Sequence, residues 1–131
     1  MAHSPPSQLP NESVCAPEDH THPPRPATPI SEATFERAAA IFRAAGDVSR
    51  LRLLERLSQG EWCVSELAEA AQVGMSTVSQ QLRLLRSERL IARRRAGKHI
   101  YYRLADAHIM ELLRGALEHA KEQGHDEEDD G

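Results

Sequence analysis

The chain has 131 residues, 40% of them hydrophobic and 27% charged, with a formal net charge of −4. That length supports one compact domain and excludes two, and apolar runs this short, broken by Arg, Glu or Gln, exclude a membrane-spanning helix. The first residues lack the charged start, apolar stretch and small-residue cleavage site of a secretory signal. The expected location is therefore cytoplasmic, with Cys15 and Cys63 expected as reduced thiols. Two cysteines 48 positions apart make neither a disulfide scaffold nor a four-cysteine zinc knot, so a metal site in this chain also needs His and carboxylates.

The modest net charge hides a segregation. Residues 1–33 sum to −3, residues 34–104 to +6 and residues 105–131 to −7. A basic centre between acidic ends suits a polyanion, although a solvated surface of mixed charge would read the same way.

All eight prolines precede residue 30, among Ser, Asn, Thr and His with few aliphatics, so residues 1–30 read as a disordered arm. From Ser31, an expected N-cap, Phe35, Ala38, Ala39 and Phe42 recur at helical intervals up to Gly46. A second helix carries Val48, Leu51, Leu54 and Leu57 on one face and stops by Gly60. A short third helix, Ser65 to Ala71, turns Val64, Leu67 and Ala68 inward, and Gln72-Val73-Gly74 makes the tight connection of a helix-turn-helix. The fourth helix, about Met75 to Ser87, buries Val78, Leu82 and Leu85 and leaves Ser76, Thr77, Ser79, Gln80 and Arg83 outward. Small polar donors plus Arg suit a major groove.

After Leu90 the apolar period becomes two. Ile91 to Arg95 and Lys98 to Leu104 read as strands around Ala96-Gly97, with Ile100, Tyr102 and Leu104 on one face and His99, Tyr101 and Arg103 on the other. The tip gathers Arg93, Arg94, Arg95 and Lys98, cations that repel one another unless an anion, such as a phosphate backbone, lies among them. A last helix is expected from about Asp106 to Gln123, followed by an acidic, disordered tail over residues 124–131. The chain thus divides into arm (1–30), core domain (31–123) and tail (124–131), the domain mainly α with a β-hairpin wing.

Three stretches together resemble the ArsR/SmtB family of metal-responsive bacterial repressors: Glu61-Trp62-Cys63-Val64-Ser65-Glu66-Leu67-Ala68, then Ser76 through Arg86, then Gly97-Lys98-His99-Ile100-Tyr101-Tyr102-Arg103-Leu104. The likeness extends over about residues 34–123, with Asp47-Val48-Ser49-Arg50 where Asp-Pro-Thr-Arg is usual, a change expected to touch only the start of the second helix. The resemblance implies a winged helix-turn-helix homodimer whose first and last helices form the interface. It also implies an inverted-repeat operator of double-stranded DNA, with Ser76, Ser79 and Gln80 reading bases beside Thr77. Arg83, Arg94, Arg95 and Lys98 would hold phosphates.

The final helix carries Asp106, His108, His119 and Glu122. Eleven residues return His119 to the azimuth of His108 but place it roughly 16 Å along the axis, so one helix cannot close that chelate. Two copies paired antiparallel about a two-fold axis would bring the Asp106/His108 end of one beside the His119/Glu122 end of the other. Two imidazoles and two carboxylates suit tetrahedral zinc, with cobalt, cadmium or nickel as alternatives, and the set matches the interhelical zinc site of the SmtB-like branch residue by residue. In the plainer alternative Asp106 caps the helix, His119 packs at the interface and Glu122 is a surface acid.

A second cluster would combine Cys63 and Glu66 with Cys15 and His20 of the arm, where Asp19 and His22 also lie. Some relatives bind a soft metal this way, but Cys63-Val64-Ser65 stands where the arsenic- and cadmium-binding branch has Cys-Val-Cys. The alternative is a capping box between Cys63 and Glu66. A thiol-based redox or persulfide switch using Cys15 and Cys63 is a further reading, as is a metal-independent architectural winged helix. With no nucleophile elbow and no Gly-rich phosphate loop, the chain is not expected to be an enzyme.

Overall fold

The computed structural model describes residues 23–25 and 28–130, with side chains as far as Gly124. The arm that carries Cys15 and His20 lies outside the described residues. Helix α1 spans Glu32–Ala45 and α2 spans Val48–Leu57; β1 is the short strand Trp62–Cys63. Then come α3 (Val64–Ala71), α4 (Met75–Ser87), β2 (Ile91–Ala96), β3 (His99–Leu104) and α5 (Ala107–Asp130).

The expected cap at Ser31 is present, and Asp47 adds a second one at the start of α2. Ser31 Oγ accepts from the Thr34 N–H at 3.1 Å, and Asp47 Oδ2 accepts from the Arg50 N–H at 3.1 Å, so α2 starts cleanly without a proline. Arg50 also donates to the Ala44 and Arg43 carbonyls, which ties the start of α2 to the end of α1. In the turn between α3 and α4 the left-handed residue is Gln72, at φ 58°, with Gly74 serving as N-cap of α4. Val73 N–H closes the turn on the Ala68 carbonyl at 3.2 Å.

The wing is larger than a hairpin. Its strand order is β1-β3-β2, antiparallel throughout, with Trp62 opposite Tyr102 and Cys63 opposite Tyr101. A two-residue strand carries too little periodicity to be read from sequence; it exists because β3 offers it an open edge. Gly97 takes φ 63° in the two-residue loop between Ala96 and His99, where a Cβ would be strained.

The core gathers Leu53, Leu54 and Leu57 of α2, Leu67 of α3, and Val78, Leu82 and Leu85 of α4 with Leu90, Ile91, Tyr102 and Leu104 of the wing. Leu113 of α5 joins it, flanked by Ile109 and Met110. Tyr102 and Leu104 are buried and Ile100 packs beside them, so the strand alternation read from sequence holds. Two expectations need correction. Val48 is 63% exposed rather than part of the inner face of α2, and α5 continues through the acidic run to Asp130 instead of stopping at Gln123. Val48 is the first residue of α2, before the helix has turned onto the core. The α1 stripe also turns away from this chain's core: Phe35 and Phe42 are 55% and 61% exposed, and it is Ala44 and Ile41 that pack inward.

Candidate nucleic-acid interface and metal-ligand sets

Helix α4 separates its two faces as its sequence requires. Val78, Leu82 and Leu85 are fully buried, while Ser76, Thr77, Ser79, Gln80 and Arg83 are exposed. The buried stripe fixes the azimuth of the helix and therefore presents the polar face as a rigid surface. At its far end Arg89 takes a left-handed conformation, φ 60°, and the Leu90 N–H returns to the Leu85 carbonyl at 3.0 Å. The chain enters β2 from that turn, so reader and wing are rigidly joined.

The wing cations are not equivalent. Arg94 is held bidentately by Glu61, with Nε to Oε2 at 2.8 Å and Nη2 to Oε1 at 2.7 Å, and its guanidinium lies 5.0 Å from the centroid of the Tyr101 ring. The hydrogen bonds from Arg94 keep the Glu61 carboxyl below its ordinary range, and Glu61 raises the Arg94 guanidinium in turn. Part of the repulsion expected at the tip is thus relieved inside the chain. Arg93, Arg95 and Lys98 are exposed and, among the described residues, carry no ion pair. Glu61 is the residue that sequence reading missed. Its signal was an acid directly before a segment that could pair with the wing, visible only once β1 is placed.

On α5, Asp106 Oδ1 accepts from the Ile109 N–H at 3.0 Å and so caps the helix; it also lies 3.8 Å from His108 Nδ1. His108 is almost fully exposed, and His119 and Glu122 are exposed further along the same helix, near its middle, with His119 Nε2 3.4 Å from Gln123 Nε2. Among the described residues no three His, Cys, Asp or Glu side chains come together. Asp106 with His108 and His119 with Glu122 therefore stand as two separate, solvent-exposed pairs, and neither pair by itself offers the three or four donors a zinc ion takes. Exposed Leu112 and Leu117 lie between the pairs. Asp106 also faces the end of α4 across a cleft of about 750 Å³, lined in addition by Arg37, Ile41, Glu88 and Arg89.

At the start of α3, Cys63 is the N-cap residue and its N–H donates to Glu66 Oε1 at 2.9 Å. That bond, with a further one from the Cys63 side chain, holds the Glu66 carboxyl below its ordinary range. Cys63 Sγ is 3.2 Å from Ser65 Oγ. Cys63 and Glu66 are thus adjacent and engaged in capping, while Cys15 and His20 lie outside the described residues.

A polar-faced helix held in a helix-turn-helix beside a cationic three-stranded wing defines a winged-helix DNA-binding protein. The model of bacterial regulatory proteins of the arsR family matches residues 47–93. Over 87 residues the chain is 48% identical to the transcriptional repressor SmtB homolog of Synechocystis, covering 66% of each protein. Over 97 residues it is 38% identical to the HTH-type transcriptional regulator NmtR of Mycobacterium tuberculosis, covering 74% of this chain and 81% of that one. The homodimeric winged helix-turn-helix DNA-binding domain of a Mycobacterium bovis protein superposes with a TM-score of 0.67 at 30% identity, covering 73% of this chain and 92% of that one. The chain belongs to the arsR family of bacterial regulatory proteins, the ArsR/SmtB group of metal-responsive transcriptional repressors. Its relatives regulate transcription and are not enzymes. No helix among the described residues is long and apolar enough to cross a membrane.

Proposed function

We propose that this protein is a zinc-responsive repressor that binds an inverted-repeat operator as a metal-free homodimer and leaves it on loading with zinc or a similar divalent ion. Each site takes Asp106 and His108 from one chain and His119 and Glu122 from the partner subunit, with α1 and α5 as the dimer interface. The observation that carries this reading is the separation of four potential metal donors along one helix, Asp106 and His108 at its start and His119 and Glu122 about three turns further on, with apolar Leu112 and Leu117 exposed between them. Exposed Phe35 and Phe42 of α1 extend that apolar surface.

Zinc bound there would supply a divalent link between chains. The protein's own contribution is to transmit the resulting placement of α5. Leu113 is buried in the core and Asp106 faces the end of α4, so a shift of α5 changes the spacing of the two recognition helices. A two-fold operator accepts one spacing.

Titrating the purified metal-free protein with zinc in the presence of operator tests the whole reading. Two ions per dimer, taken up in step with loss of DNA binding, are expected. Uptake without release, or release without uptake, would overturn it.

A further inference from the structure

Helix α2 repeats a polar pattern on one side: Ser49, Arg52 and Arg56 follow one another at spacings of three and four. Two arginines four apart on one helix face repel each other, so their juxtaposition needs an explanation. The fold turns this side toward Thr77 and Gln81, themselves four apart on α4, across a cleft of about 280 Å³ beside the end of α3. Two guanidinium groups, two hydroxyls and a carboxamide line it, and no carboxylate does.

Arg56 is anchored, since its Nη2 donates to the Ala70 carbonyl at 3.3 Å. Its other terminal nitrogen, Nη1, is buried and has no hydrogen-bond partner among the described residues. Arg52 is exposed and makes no ion pair with any described residue. A buried donor without an acceptor is unfavourable, and planar guanidinium forks match tetrahedral oxyanions in geometry and charge.

We propose that this cleft is an oxyanion site, taking a phosphate between Arg52 and Arg56 of α2 and Thr77 and Gln81 of α4. Two sources share that chemistry. One is a backbone phosphodiester of the bound duplex, because Thr77 borders the exposed Ser76, Ser79 and Gln80 face; this arm rests on α4 being the DNA reader. The other is a free phosphate, which would occupy the cleft in the absence of DNA.

The experiment compares the full chain with Arg52→Gln and Arg56→Gln. Binding to operator and to random duplex is measured over a range of NaCl, and inorganic phosphate is titrated into the DNA-free protein at matched ionic strength while the Thr77 and Gln81 amide resonances are followed. Arg52 is exposed and makes no ion pair with any described residue, so Arg52→Gln reports on the site even if Arg56→Gln melts early. The expected result is a salt slope lower by about 0.9 for each lost phosphate contact, on both duplexes, together with saturable phosphate shifts that the variants lose. A lower slope without phosphate shifts supports the site with DNA as its source. Phosphate shifts with an unchanged slope support it with free anion as its source, and this arm still decides if the parent protein binds no duplex. Unchanged slopes with no phosphate shifts beyond those of NaCl mean a water-filled cleft and overturn the proposal.

Discussion

Arg94 and Arg95 are neighbours in sequence with unlike surroundings. Arg94 is committed to Glu61 and stacked on Tyr101, whereas Arg95 is exposed opposite Ile100. A DNA phosphate must displace a carboxylate to reach Arg94 but only water to reach Arg95. Arg95→Ala should therefore weaken binding to operator and random DNA alike and lower the salt slope, and Arg94→Ala should do so less; anisotropy titrations over a salt series read both. Equal losses from the two variants would show that the Glu61 pair opens freely on DNA. Gln80 lies on the exposed polar face of α4, and if that face reads bases as proposed, Gln80→Ala should cost roughly 1–3 kcal/mol on operator and leave random DNA binding unchanged. Leu82, fully buried, acts on the same helix through packing alone. Leu82→Ala should cost about 2–5 kcal/mol of folding stability in denaturant melts.

Among the elements, the arm and α3 pose a question of metal count. Cys63 and Glu66 are already joined at the start of α3 by a cap that needs no arm, and the proposed α5 sites use no arm residue. Deleting residues 1–30 should leave operator binding and zinc release largely intact. Metal analysis of the truncated protein then separates the two readings of Cys63: loss of one of two ions per chain would establish a second site with Cys15 and His20, and an unchanged count would leave the cap as the whole role of the pair. Helix α1 illustrates how an element's face is chosen. Phe35 and Phe42 have the spacing of a core stripe, yet small Ala44 is what sits against the core; in the proposed dimer the two phenyl rings would face the partner subunit.

At the scale of the whole molecule, regulation is a coupling free energy, and a 100-fold loss of DNA affinity on metal binding corresponds to about 2.7 kcal/mol. That coupling needs a path from α5 to the reader. A ligating imidazole ordinarily donates its second N–H to a fixed acceptor, and in the proposed mechanism that bond of His119 would run toward the backbone near Arg89. The turn at Arg89 is the left-handed end of α4, where a helix leaves carbonyls to be satisfied from outside. His119→Asn should therefore still bind zinc, more weakly, while losing release from operator. Asp106→Ala should lower zinc affinity more than coupling. Occupancy and operator release measured in one titration distinguish them: a His119 variant that dissociates at the parent's zinc occupancy would leave the shift between subunits to carry the signal alone.

The helix-turn-helix, the division of α4 into a buried stripe and an exposed polar face and the strand alternation of the wing were legible in the sequence because each depends on local periodicity and one buried stripe. Val78, Leu82 and Leu85 dictate where Ser76, Ser79 and Gln80 point. The sequence also determined the side chains on offer, the two histidines and two carboxylates proposed as ligands on and before α5 and the cations of the wing. Contacts between residues far apart in the chain were decided by tertiary structure alone. Pairing of Glu61 with Arg94 requires β1 to add to the edge of β3, and the cleft that gathers Arg52, Arg56, Thr77 and Gln81 requires α2, the end of α3 and α4 to border one space. Periodicity specifies which face of an element is buried. Which neighbour that face meets, and which charges are thereby neutralised, is settled only when the elements pack.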